Sequence, residues 1–209
     1  MAKKLRLGVI GLGYIGELHT RVIFENPCAE LVAVCDLNKE LVEKLGNKYG
    51  SDSYTDYNEM LKREDIDAIA VCVPEDFHVS TAVAVSKSKK HMLIEKPIAK
   101  TLEGALEIVD AVDKNGIRAM VAHVCQFDPR YAQLKDRIKS GQLGEISSMY
   151  FKRGNPVGTA NRLNGKVSFY YYLGIHDLEM MIDYNLPARP VSVYAQASNK
   201  INKHMNDID

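Results

Sequence analysis

Gly11, Gly13 and Gly16 stand in the order G-x-G-x-x-G within "LRLGVIGLGYIGELHTRV" (5–22), and Asp36 follows twenty residues after the last of them. Glycine at the first position permits a tight turn. At the second it lets the backbone approach a pyrophosphate, and at the third it lets a helix pack closely on a strand. The helix N-terminus then faces the phosphates. An apolar run before the motif and a helical pattern after it supply the context this spacing needs. A carboxylate at Asp36 accepts hydrogen bonds from ribose hydroxyls and repels a 2′-phosphate. Leu37 and Asn38, which come next, bring no arginine. The spacing therefore predicts a dinucleotide site that takes NAD in preference to NADP. The same glycines could also serve only the fold.

The elements that would carry this site are legible as alternation. Short apolar runs at 5–10, 30–35, 68–74, 91–97 and 118–124, with a further strand read in "SYTD" at 53–56, alternate with amphipathic stretches. Continuous apolar runs suit parallel strands covered on both faces. In 38–49, Leu41, Val42 and Leu45 share a face, and in 102–115 so do Leu102, Ala105, Ile108, Val109 and Val112. Strand and helix in alternation predict a doubly wound parallel sheet, an α/β Rossmann domain over residues 1–124. The pattern changes over 125–209, which reads as the start of a truncated α+β domain for substrate or dimerisation. There, 129–144 reads as a helix, 145–154 as a long strand and 155–166 as a loop. The stretch 169–184 reads as a helix with Leu178, Met181 and Ile182 as its core stripe, and 190–198 as a strand.

Bulk properties exclude some classes. Twenty-seven basic and 27 acidic residues give zero formal net charge, so nothing favours nucleic acid or an anionic membrane. The cluster "KSKK" (87–90) reads as a solvated helix end. No apolar run approaches the length of a membrane span, and "MAKKLRLGVI" reads as the first strand in place of a leader. Four separated cysteines, Cys28, Cys35, Cys72 and Cys125, suit free thiols in a cytoplasmic protein. His123 and Cys125 are too few ligands for zinc, and no metal is expected.

"VCVPEDFH" (71–78), "EKP" (95–97) and "GIHDLE" (174–179), in that order after the glycine motif, resemble the Gfo/Idh/MocA family of NAD(P)-dependent oxidoreductases of sugars and cyclitols. "YTDYNEML" (54–61) and "LGEI" (143–146) are also similar to that family. The resemblance implies that Gly11, Gly13, Gly16, Asp36 and the adjoining Leu37 hold the adenosine half of NAD, with Tyr14 and Ile15 adding turn amides and contacts. It implies that Cys72 and Pro74 lie along the cofactor with His78 close by, that Glu95 and Lys96 flank the nicotinamide, and that the Lys96–Pro97 bond is cis. Lys96, His176 and Tyr172 become the catalytic candidates, and His123 and Arg153 the substrate-binding ones. A lysine ammonium can hydrogen-bond an alcohol oxygen, and an imidazole of pKa about 6.5 can take its proton at neutral pH.

The chain departs from the family pattern in several places. Tyr172 stands where relatives carry an aspartate four residues before the helix histidine, and a phenol of pKa about 10 is a donor at neutral pH. Asp177 follows His176 but turns about 100° away on a helix. "NGKVSF" (164–169) replaces a glycine pair, Val124 and Cys125 replace Asn and Arg, and Glu75 replaces an asparagine. The second domain is shorter than in relatives. Either the gene product continues or another subunit completes it, and a homo-oligomer is expected. The expected activity is hydride transfer between NAD and a secondary hydroxyl of a sugar, sugar derivative or cyclitol. The rivals are a non-catalytic NAD-binding sensor or scaffold, and a carbonyl reductase. Lys152 and Arg153 could meet an anionic substrate or could equally be a solvated strand end.

Overall fold

The computed structural model describes residues 3–156, 158, 159 and 168–198. The chain divides into two compact units, Met1–Ala122 and His123–Asp209.

The first unit is an α/β domain built on six parallel strands: β1 (Leu5–Ile10), β2 (Ala29–Cys35), β3 (Asp52–Tyr54), β4 (Ala68–Val71), β5 (His91–Ile94) and β6 (Ala119–Val121). Their order is β3-β2-β1-β4-β5-β6. The strand order reverses between β1 and β4, where Leu7–Ile10 pairs with Ala68–Val71. In open α/β sheets a crevice opens at that switch point, outside the carboxyl ends of the strands.

Five helices of this unit cover the sheet: α1 (Tyr14–Glu25), α2 (Lys39–Tyr49), α3 (Tyr57–Leu61), α4 (His78–Lys87) and α5 (Leu102–Asn115). Successive strand side chains point to opposite faces, and the core splits accordingly. Val9, Val34 and Ala70 join Ile23 of α1 and Val42, Leu45 and Tyr49 of α2 in one cluster. Ile10, Cys35, Ile69, Val71 and Ile94 join Met60 of α3, Ala82 and Val85 of α4 and Ile108 of α5 in the other. Burial on both faces explains why these strands read as unbroken apolar runs.

Local sequence sets the helix ends. Asn38, Asp56 and Thr101 cap α2, α3 and α5 with side-chain oxygens. Gly50 and Gly116 close α2 and α5 in the left-handed conformation. On α5 the expected apolar face is only partly used. Ile108 is buried and Ala105 and Val112 pack beside it, but Leu102 and Val109 are exposed. Five apolar positions form a wider stripe than one contact with the sheet and α4 can cover.

In the second unit α6 (Pro129–Lys139) starts at Asp128, whose carboxylate accepts from the Arg130 N–H, with Pro129 in the first turn. It ends earlier than the expected 144, and Gly141 and Gly144 both have positive φ. A π-helical turn at Tyr170–Gly174 runs into α7 (Ile175–Tyr184).

Two expectations fail in this unit. Residues 145–154 and 190–198 are not strands. A strand is completed only by a neighbour that takes its N–H and C=O groups, and neither stretch has one among the described residues. Val191, Val193 and Tyr194 accordingly stand 99%, 90% and 84% exposed. The core stripe of α7 is also different. Leu178 and Ile182 are exposed, while Met180 and Tyr184 are buried. The polar residues of α7 turn inward because each meets a partner from elsewhere in the unit. Asp177 meets Arg153, Asp183 meets Lys135 of α6, and Glu179 meets Gln126. The polar "NKINKHMNDID" tail from Asn199 on, and most of the 155–166 loop, lie outside the described residues.

Candidate functional site

In the first unit the predicted cofactor residues gather at the carboxyl edge of the sheet. Gly11 has φ +89°, and a Cβ there would sit 2.6 Å from the Cys72 carbonyl oxygen. At Gly16 a Cβ would lie 1.8 Å from the Gly11 carbonyl oxygen. Both glycines are thus demanded by the fold. Gly13 is not, because a Cβ on it would meet nothing within 4 Å. The space above Gly13 is open, at the start of a helix whose N-cap brings no side chain to its amides. The first turn of any helix leaves backbone N–H groups without helical partners. In α1 the first turn holds Tyr14 and Ile15, both exposed.

Asp36 sits just past β2 and is held from two sides. The Leu12 N–H donates to Oδ2 at 2.7 Å, and the Asn38 N–H donates to Oδ1 at 2.9 Å. The first bond ties the carboxylate to the glycine turn itself. An ionised carboxylate accepts about four hydrogen bonds, so capacity remains for a ligand. Leu37 beside it is 91% exposed.

β4 and β5 stop short of their apolar runs, and 72–74 and 95–97 leave the sheet at the same edge. The Lys96–Pro97 peptide is cis. Burial lowers the Lys96 amine below the ordinary lysine range, while the charges of Glu95 and Glu75 oppose that shift. Glu75, which departs from the family pattern, is therefore an electrostatic neighbour of the lysine. Burial on its own would raise the Glu95 carboxyl, but a hydrogen bond and charge from His19, with the Lys96 amide and charge, outweigh it and hold it below the usual range. Burial and the Glu95 charge push the Cys72 thiol up, so it stays protonated. Pro74 is exposed at the edge. His78 is 1% exposed, with Nδ1 2.7 Å from the Pro97 carbonyl oxygen and Nε2 3.0 Å from that of Val73. Both ring nitrogens are taken by backbone, so His78 ties the 73–74 segment to Pro97.

In the second unit His176 is the second residue of α7 and is half-buried. Tyr172 lies within the π turn. Such a turn closes i→i+5 hydrogen bonds, so the helical i,i+4 relation expected between Tyr172 and His176 does not hold in its simple form. His123 is half-buried ahead of a 3₁₀ turn at Val124–Phe127. Arg153 donates through Nε and Nη2 to Asp177 Oδ1 at 2.9 and 2.7 Å, and through Nη2 to the Tyr131 hydroxyl at 3.3 Å. It is half-buried and not on a strand, and its guanidinium is engaged by a carboxylate. Sequence reasoning missed this pairing, along with His19 against Glu95 and Lys135 against Asp183. An acidic residue repeating on α7 at 177, 179 and 183, with basic residues on α6, was the available signal.

Among the described residues no three metal-ligating side chains cluster, and no helix is long and apolar enough to cross a membrane.

Residues 5–123 match the family model of GFO_IDH_MocA, described as an oxidoreductase family with an NAD-binding Rossmann fold. The chain belongs to this family. An uncharacterised oxidoreductase of Bacillus subtilis is 27% identical over the whole of this chain and 62% of its own length. Inositol 2-dehydrogenase of Rhizobium meliloti is 28% identical over 97% of this chain and 61% of its own. A crystal structure assigned provisionally as a myo-inositol dehydrogenase of Sinorhizobium meliloti superposes with TM-score 0.83 at 28% identity, covering 99% of this chain and 63% of that one. The chain thus spans less than two thirds of these Gfo/Idh/MocA relatives.

Proposed function

We propose that this Gfo/Idh/MocA chain is an NAD-dependent dehydrogenase acting on a secondary hydroxyl of a cyclitol or sugar. The observation that carries the reading is Asp36, fixed to the glycine turn by the Leu12 N–H at 2.7 Å beside the open space over Gly13. The residues fit the dinucleotide. The α1 amides and Gly13 suit its diphosphate, and Asp36 suits the ribose hydroxyls while its charge disfavours a 2′-phosphate. When bound, the nicotinamide supplies the hydride acceptor.

The chain's own residues handle the oxygen side of the reaction. Oxidising an alcohol removes a proton from oxygen as hydride leaves carbon. Lys96, in a partly buried position between the Glu95 and Glu75 charges, would hydrogen-bond that oxygen and stabilise its developing negative charge. His176, near the start of α7, would accept the proton. Tyr172 is offered as a hydrogen-bond donor where relatives use a carboxylate. The inositol dehydrogenases among the relatives favour a cyclitol as first substrate class.

Calorimetry and turnover test this reading. NAD should bind at least about tenfold tighter than NADP, a difference of about 1.4 kcal/mol. Incubation with NAD and a panel of inositols and sugars should form NADH with at least one of them. Saturable NAD binding without NADH formation across the panel would instead favour a sensor or scaffold, and no binding at all would remove the reading.

A further inference from the structure

His19 lies three residues past Gly16 on α1 and meets the end of β5, 76 positions along the chain. Its Nε2 is 2.8 Å from Glu95 Oε1. The other oxygen, Oε2, accepts the backbone N–H of Lys96 at 3.1 Å. Glu95 is therefore gripped twice. One grip comes from the helix that follows the glycine turn, the other from the backbone of the lysine assigned to the substrate oxygen. The two side chains are only 17% and 15% exposed, which shields the pair from solvent.

His78 provides the comparison. It is more deeply buried, yet both of its ring nitrogens meet backbone carbonyls and no charged group. His19 instead meets a carboxylate one residue from Lys96. A histidine that merely pinned α1 to the sheet would have no need of a partner bonded to the Lys96 amide.

We infer that His19 is a positioning residue for Lys96: by holding the Glu95 carboxylate it fixes the backbone from which the lysine side chain projects. The inference rests on the reading of Lys96 as the group that meets the substrate oxygen. No proton transfer is assigned to His19, and its effect passes through Glu95.

Amide hydrogen exchange and steady-state kinetics on the full chain test this, using His19→Ala and His19→Phe, the second keeping ring volume so that loss of packing is controlled. In both variants the Lys96 amide should exchange about tenfold faster or more. The Glu95 and Ala122 amides, bonded to the Val71 and Ile94 carbonyls, should change less than about twofold. NAD affinity should stay within about threefold, and kcat should fall by about tenfold or more with KM for the polyol nearly unchanged. His19→Gln, which can still donate to Glu95, should recover part of both losses. An unaltered Lys96 amide, or equal acceleration at all three amides, would overturn the inference, as would unchanged kcat in a variant whose Lys96 amide is loosened. If the unsubstituted protein shows no turnover, it is the Lys96 reading that fails, and exchange alone then decides the clamp.

Discussion

The three glycines of the turn look equivalent as letters but carry different physical loads. Gly16 lies where a methyl group would sit 1.8 Å from a backbone carbonyl, and no side-chain motion can relieve that. Gly13 faces open space. Gly16→Ala should therefore cost about 3 kcal/mol or more, at or beyond the usual upper range for overpacking. Gly13→Ala should cost less than about 1 kcal/mol in stability yet weaken NAD binding about tenfold. Urea unfolding paired with calorimetry separates the two, and equal destabilisation by both would refute the division. Asp36 could be found from spacing alone, because its partner Leu12 is part of the motif. His19 could not. It lies on the same helix as the motif, but its meaning depends on Glu95, and only the fold brings residues 76 apart in sequence to 2.8 Å.

At the scale of elements, what the sequence showed and what it hid follow the same rule. The central strands β1, β2, β4 and β5 were legible because burial on both faces gives them apolar runs, whereas the edge strands β3 and β6 are mostly exposed. Segments 145–154 and 190–198 have strand-like composition, but a strand is a pairing, and pairing is not written in the segment itself. Helix α7 shows a related failure. Its sequence IHDLEMMIDY offers apolar residues all round, so periodicity favours Leu178, Met181 and Ile182, of which Leu178 and Ile182 are exposed and Met181 half-buried. The inward face was decided by Arg153, Gln126 and Lys135, which lie 24 to 53 positions away. The consequence can be measured. Met180 is fully buried, so Met180→Ala should cost about 2–5 kcal/mol. Leu178→Gln, at a position 50% exposed, should stay within about 0.5 kcal/mol. The reverse order in thermal or urea unfolding would restore the stripe that periodicity suggested. The π turn before α7 adds a second lesson, because one extra residue in a turn shifts every face downstream of it, and no spacing rule for a plain helix anticipates it.

For the molecule as a whole, the division at Ala122 and His123 leaves the glycine turn, Asp36 and Lys96 in one unit and His176 in the other. Every buried residue of the two main apolar clusters lies at or before Ile117. So do the glycine turn, Asp36, Glu95 and Lys96. A unit of this size falls in the ordinary range for a self-sufficient domain, and among the described residues both buried clusters are made of its own side chains. The fragment 1–122 should accordingly unfold in one cooperative step, with stability on the order of 5–15 kcal/mol, and should bind NAD within about fivefold of the full chain. It lacks His176, the residue proposed to accept the proton, so it should form no measurable NADH from any polyol with which the full chain forms it. Circular dichroism on urea titration, calorimetry and absorbance at the reduced-nicotinamide band supply the three readings. A fragment that melts without cooperativity would show that the sheet needs the second unit. A fragment that turns over would show that Lys96 and its surroundings manage the proton unaided, and would take His176 out of the mechanism.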